Sequence, residues 1–323
     1  QESGVGRWSI IQVPTMSFYE YCELLELDRP VIPVDLKVTS LLRKTQIEQM
    51  QIMIQLSKVQ NHFMRYLQVG GFPELALADN DLYAQQILRD DVVDKVLKCD
   101  IPSLYNIRNS TELERIFLYL CNVSSEIVSI DAIAKELNGV SRTTVENYIQ
   151  YLASANLIYL SWPINMANKK VLKARPKIYI ADAAIRNAVL MDDGIMSDPV
   201  EMGKIVETAV YKHLAAFYYQ FATAVGYFRG GRKNKEIDIV VEYPRIRNIL
   251  VEVKYREEAV VADEDAIIDL CNEASAAIVV TKNANDFGLQ ATKKGVNLLR
   301  IPAFAFLYLL GNAEKHGYRG REQ

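Results

Sequence analysis

Cysteine is scarce in this chain of 323 residues, and the four present, Cys22, Cys99, Cys121 and Cys271, stand far apart. Scattered thiols suggest neither a disulfide framework nor a zinc site, and they fit free cysteines in a reducing compartment. Histidine is scarcer still: His62, His213 and His316 are the three that occur, none at ligand spacing. No Ser/His/Asp or Cys/His nucleophile arrangement can be built from them. The longest apolar run, "IPAFAFLYLL" at 301 to 310, is too short to cross a bilayer, and no signal-peptide pattern is seen at the start. The expectation is a cytoplasmic protein with no membrane contact. Low-complexity tracts and internal repeats are also missing. Charge of one sign is not in excess: the net value of -3 decides nothing about a nucleic-acid partner, because local patches set such binding. The chain opens on Gln1 with residues that read as mid-domain sequence, as expected of a piece of a longer protein.

What is present is half hydrophobic, and the length exceeds the usual single core, so two or three globular domains are expected. Residues 40 to 68 and 80 to 98 carry apolar positions at helical spacing. Between them "GGFPEL" breaks the pattern. Gly70 and Gly71 can take backbone angles other residues avoid and Pro73 cannot continue a helix, which reads as a helix stop and turn.

From 111 to 160 three helices precede a strand: "TELERIFLYLC", "SIDAIAKEL" and "SRTTVENYIQYLASANLIYL". That is the order of a winged helix-turn-helix. Gly139 suits the tight turn, Ser141 the cap of the third helix, and Val145, Tyr148, Ile149 and Leu152 form its apolar stripe. Its polar face offers Arg142, Thr143, Thr144 and Asn147 to phosphates or base edges. Downstream, "NKKVLKARPK" gathers Lys169, Lys170, Lys173, Arg175 and Lys177 where a wing and its loop are expected, a cluster able to neutralise phosphates. DNA contact competes here with a plain solvated surface or a helical bundle that only mediates domain packing, since the fold has many uses.

A new unit follows, with an amphipathic helix at 202 to 221, strands at 225–229, 236–242 and 249–255, a helix at 262–274, and strands near 277–282 and 296–301. Strand alternation puts Glu236, Asp238 and Val240 on one face, and Leu250, Glu252 and Lys254 on one face of the next strand. Asp238 and Glu252 are then expected to converge, with Lys254 beside them. Two carboxylates so placed call for a cation, and Mg²⁺ or Mn²⁺ takes such oxygens while keeping waters. Glu207, at the margin of the preceding helix's stripe, is a fourth charged group able to lean over the sheet. The run "RGGRKNK", with Arg229, Arg232, Lys233 and Lys235, joins the first two strands and is either a phosphate attractor or a solvated hairpin tip.

"EID" at 236 to 238 and "EVK" at 252 to 254 within α-β-β-β-α-β order resemble the PD-(D/E)XK nuclease superfamily. Asp238, Glu252 and Lys254 match its motif, and Glu207 resembles the helix glutamate of some branches; no proline precedes Asp238. A wider resemblance, carried by "GRWSIIQVPTMSFYEY", "GGFPEL", "KIYIADAAIRNAV", "GKIVETAVYKHL" and the two strand motifs, is to prokaryotic AAA+-type ATPases bearing a C-terminal DUF4143 domain. It implies the end of an AAA+ core and a helical lid remnant at 1–100, a winged helix-turn-helix at 101–178 and a nuclease-like domain at 179–323. The family's P-loop lies upstream, and no GxxxxGK[ST] occurs here, so ATP is implied only for the intact parent. Arg7 lies where a residue near the nucleotide stands in such proteins, and equally reads as a surface arginine. The resemblance implies a metal-dependent nuclease acting on DNA, or else an inactive nuclease-like module that binds or assembles, with a protein partner or a second copy.

Overall fold

The computed structural model describes residues 13–317 apart from 35, 138, 165–174, 192–193, 219–221, 223, 231–234, 243–247, 273–274 and 296. It is a mixed α/β structure. At the N-terminal end the helix Phe18–Leu24 starts at a capping box, in which the Ser17 N–H donates to Glu20 at 2.8 Å. The stretch expected as one helix is divided into a 3₁₀ segment Val38–Arg43, the helix Gln46–Leu56, a second 3₁₀ segment Ser57–His62 and the helix Phe63–Val69. Thr45 explains the first break. Its hydroxyl accepts the Glu48 N–H while Glu48 accepts the Thr45 N–H at 2.8 Å, a local exchange that starts a new helix and that apolar spacing does not register.

The glycine pair does more than end a helix. Gly70 has φ +73°, and a Cβ there would lie 2.4 Å from Asp182 Oδ1; one on Gly71 would lie 2.3 Å from the Met16 carbonyl. Bare backbone lets Gly71 donate its N–H to Asp182 Oδ2 at 3.1 Å and accept from the Met16 N–H at 2.8 Å. Asp182 is in turn paired with Lys212 at 2.8 Å, both side chains 3% exposed. The Lys212 ammonium also donates to the Met16 carbonyl at 2.8 Å and to the Tyr66 hydroxyl at 3.1 Å.

The middle unit holds the helices Thr111–Asn122, Ile130–Glu136 and Arg142–Ser154 and the strands β1 (Glu126–Ile127), β2 (Ile158–Ser161) and β3 (Lys177–Ile180). The strands form an antiparallel sheet in the order β1-β3-β2. Ser141 caps the third helix, accepting the Thr144 N–H at 3.0 Å, and Gly139 turns at φ +101°. Val145, Ile149 and Leu152 are buried, and Tyr148 packs against them from a half-buried position.

The C-terminal unit comprises the long helix Pro199–Tyr218, then β4 (Ala224–Gly230), β5 (Lys235–Glu242), β6 (Asn248–Lys254), β7 (Ser275–Thr281), β8 (Gly288–Ala291) and β9 (Asn297–Pro302). Their order is β4-β5-β6-β7-β9-β8. The first three are antiparallel, β7 and β9 run parallel to their inner neighbours, and β8 returns antiparallel along the far edge. The helix expected over 262–274 is the short Ala266–Leu270, and β8 is an element the pattern did not signal. The apolar run ends β9 and then enters a buried helix, Ala303–Gly317. One face of the sheet joins a large core that runs from Phe18 through Leu152 to Phe306, across all three expected segments. The other face covers a smaller core of Ile237, Val240, Leu250, Val279 and Leu298 under Ala266–Leu270. Among the described residues no helix is long and apolar enough to cross a membrane.

Candidate functional site

Strict alternation along β5 fails at the residue that matters. Ile237 and Val240 both pack into the smaller core, while Ile239 and Val241 belong to the larger. The pairing with β4 shifts register between Gly226 and Phe228, so Asp238 and Ile239 stand opposite the single residue Tyr227. The expectation that Glu236, Asp238 and Val240 share a face is thus corrected: the first two meet the same ammonium, and Val240 points into the smaller core. Pairing of β5 with β6 runs only as far as Ile239↔Val251. Beyond it Asp238 reaches into the gap between the strands, where its Oδ2 accepts the Val253 N–H at 2.8 Å.

The ammonium is that of Lys177, at the start of β3. Its side chain is 3% exposed and lies 2.7 Å from Glu207, 3.2 Å from Glu236 and 3.5 Å from Asp238 Oδ1. Burial alone would depress its pKa, but the charges of Glu207 and Asp238 more than offset this, and the lysine is held firmly protonated. Two residues along β3, the Tyr179 hydroxyl donates to Glu207 at 2.8 Å. Burial and then the Asp238 charge push the Glu207 carboxyl up to about 7.

Glu252 and Lys254 lie across the fork on β6, 3.9 Å apart, and Lys254 also pairs with Asp265 at 2.9 Å. Burial, followed by the Asp238 charge, pushes Glu252 up to about 9. Its Oε2 is buried and has no hydrogen-bond partner. A carboxylate oxygen left so is costly and is a natural seat for a cation. Among the described residues no group of three or more His, Cys, Asp or Glu side chains is arranged to hold a metal ion. A divalent cation at this fork would therefore rest on two carboxylates, Asp238 and Glu252, with water completing its shell, a donor set that suits Mg²⁺.

The four motif residues, Glu207, Asp238, Glu252 and Lys254, thus belong to one electrostatic neighbourhood, split into a Lys177 half and a Lys254 half. Lys177, Tyr179 and Asp265 were not singled out by sequence reasoning as members of it. The available signal was "KIYI", in which Lys177 and Tyr179 share one side of a strand whose every residue is buried.

The expected nucleic-acid contacts are placed less uniformly. Arg142 is exposed, but its guanidinium is engaged by Asp131 at 2.8 Å and Glu146 at 3.0 Å. Thr143 is exposed, and Thr144 and Asn147 line an open cleft of about 400 Å³ with Tyr105, Arg108 and Tyr148. Lys235 pairs with Asp269 and the Glu264 carbonyl. Lys169, Lys170, Lys173, Arg232, Lys233 and Arg7 lie outside the described residues. His213 is buried: Nε2 accepts the Phe18 N–H at 3.0 Å and Nδ1 faces the Ala209 carbonyl at 2.7 Å. Cys22, Cys121 and Cys271 are buried and Cys99 is exposed.

Comparison with known proteins adds the following. Residues 202–304 match DUF4143, a domain of unknown function, and residues 60–194 match DUF8612, another domain of unknown function. Lys177 falls in the second of these segments and the four motif residues in the first. An uncharacterized protein of Methanocaldococcus jannaschii is 24% identical over 86% of the chain, and one of Haemophilus influenzae is 23% identical over 50%. The chain spans 62% of the archaeal relative and 41% of the bacterial one. No solved structure matches the chain.

Proposed function

We propose that this chain is the DNA-associated C-terminal part of an AAA+-type ATPase, and that its last unit is a PD-(D/E)XK-like site for divalent-cation-dependent phosphodiester hydrolysis in the cytoplasm. The observation that carries the reading is Glu252, whose buried and unpartnered Oε2 shares the fork with Asp238. Asp238 and Glu252 are the residues that would hold Mg²⁺ or Mn²⁺. Bound there, the cation would supply charge stabilisation of the phosphoryl oxygens and an activated water.

The chain's own groups have definable parts. Lys254, held by Asp265 beside Glu252, presents an ammonium to a phosphoryl oxygen or to the attacking water. Burial and the Asp238 charge favour the protonated form of Glu252, and a divalent cation would favour its ionised form. Glu207, raised to about 7 and tied to Lys177 and Tyr179, is the candidate proton acceptor on the Lys177 side. The three helices with a β1-β3-β2 sheet support a winged helix-turn-helix that docks duplex, with Thr143 and Asn147 exposed on its third helix.

A second reading has its own support. Lys177 already pairs with Glu207, Glu236 and Asp238, as in a nuclease-like module that keeps its charges for structure and serves binding or assembly, with a protein partner or a second copy. Incubating the chain with linear, nicked and branched DNA and Mg²⁺ or Mn²⁺ separates the two. Hydrolysis lost in Asp238→Ala is expected; no hydrolysis, or hydrolysis indifferent to that change, leaves the binding module.

A further inference from the structure

Both oxygens of Asp238 are in use. Oδ2 accepts the backbone N–H of Val253 at 2.8 Å, and Oδ1 faces the Lys177 ammonium at 3.5 Å. A divalent cation seated on Asp238 takes one of the remaining lone pairs of this carboxylate and so comes within a few ångströms of the Lys177 ammonium. That puts an ammonium and a dication on one carboxylate in a low-dielectric pocket, where like charges repel strongly. The lysine has somewhere else to be held: Glu207 lies at 2.7 Å and Glu236 at 3.2 Å, both closer than Asp238.

Lys177 also comes from a different unit. It opens β3, whose hydrogen-bonded neighbours are β1 and β2, and β2 follows the helix Arg142–Ser154. The acids it meets sit on the long helix and on β5, in the segment matched as DUF4143. Tyr179, on the same strand, adds a second tether through Glu207.

We propose that Lys177 is a built-in competitor for the divalent cation: its ammonium occupies the Asp238 side of the fork, and the site loads metal as that lysine withdraws toward Glu207 and Glu236. The inference rests on the metal-site reading above and deepens it by making loading depend on a strand of the helical unit. A competitor of this kind lowers apparent affinity by the fraction of molecules in which it is displaced.

Calorimetric titration with Mn²⁺ tests this on the full chain, comparing wild type with Lys177→Met and Glu236→Gln. Lys177→Met is expected to bind roughly tenfold tighter or better, the gain when about a tenth of wild-type molecules are competent. Glu236→Gln, which removes one of the lysine's anchors but no expected metal ligand, changes affinity without deleting the competitor; its lysine shifts toward Asp238 and binding weakens a few-fold. Circular dichroism monitors folding. Should Lys177→Met not fold without its counter-charge, Glu236→Gln decides, since its side chain is a third exposed (33%). Equal or weaker binding by folded Lys177→Met, or unchanged binding by Glu236→Gln, overturns the inference while wild-type binding keeps the metal site. Absence of Mn²⁺ binding in all three chains overturns both.

Discussion

The Val253 N–H donates to Asp238 Oδ2 at 2.8 Å across the point where β5 and β6 part, tying the acid of one strand to the backbone of the next. An amide oxygen can accept the same bond, so Asp238→Asn is expected to fold. Loss of the charge should let the Glu252 carboxyl drop from about 9 toward its ordinary range and should abolish Mn²⁺ heat and DNA hydrolysis together. Carboxyl NMR titration of Glu252 and calorimetry check the two parts. A Glu252 titration unmoved by the substitution would show that burial alone raises it.

Glu207 and Glu252 bind protons more tightly in the folded chain than in the unfolded one, at about 7 and about 9 against 4.5. Between these values the unfolded chain holds fewer protons, so the contribution of both groups to stability falls as pH rises through about 5 to 9 in metal-free buffer. Glu314, raised to about 7 by burial and by Glu20, works in the same direction. Urea midpoints across that range should therefore decline, and Glu252→Gln should flatten the decline in its alkaline part. A variant with an unchanged slope would remove Glu252 as its source.

Lys212 and Asp182 form another buried pair, with Thr15 donating its hydroxyl to Asp182 at 2.6 Å. Lys212→Met leaves a carboxylate buried without its cation and is expected to cost about 3–5 kcal/mol in urea unfolding. Adding Asp182→Asn should recover part of that loss, because the stranded charge is then gone. A double variant as unstable as the sum of the singles would mean that the two side chains are not coupled.

Gly71→Ala drives a methyl group against the Met16 backbone, 2.3 Å from its oxygen and 2.5 Å from its nitrogen. Backbone yields less readily than a side chain, so a loss of about 1–3 kcal/mol is expected, read as a lowered thermal midpoint. The same change at Gly203, where a Cβ meets nothing within 4 Å, should be neutral or stabilising in the long helix. Equal effects at the two positions would remove close approach as the reason for the glycine.

His213 gives an acid-side counterpart. Burial, with Lys212 beside it, lowers its pKa to about 3, so the folded chain keeps it neutral while the unfolded chain protonates it near 6.5. Its contribution to stability is present above about 6.5 and is lost as pH falls toward 3. The His213 ring resonances should accordingly stay in the neutral form at pH values near 5, and an imidazolium signal there would contradict the burial argument.

The sequence by itself determined the elements whose signals are local. Short apolar runs placed β4, β5, β6, β7 and β9, period 3.6 placed the long helix, and Ser141 and Gly139 marked the entry to the third helix of the middle unit, because each depends on residues a few positions apart. Only the tertiary structure decided what those elements bring together. The bulge that turns Asp238 into the fork arises from pairing with β4, the glycine pair answers to Asp182 some 111 residues away, and Lys177 reaches acids 30 to 61 positions downstream. Electrostatic and steric contacts act through space, and a buried lysine reads in one dimension like any member of a basic cluster until the carboxylates that surround it are in place.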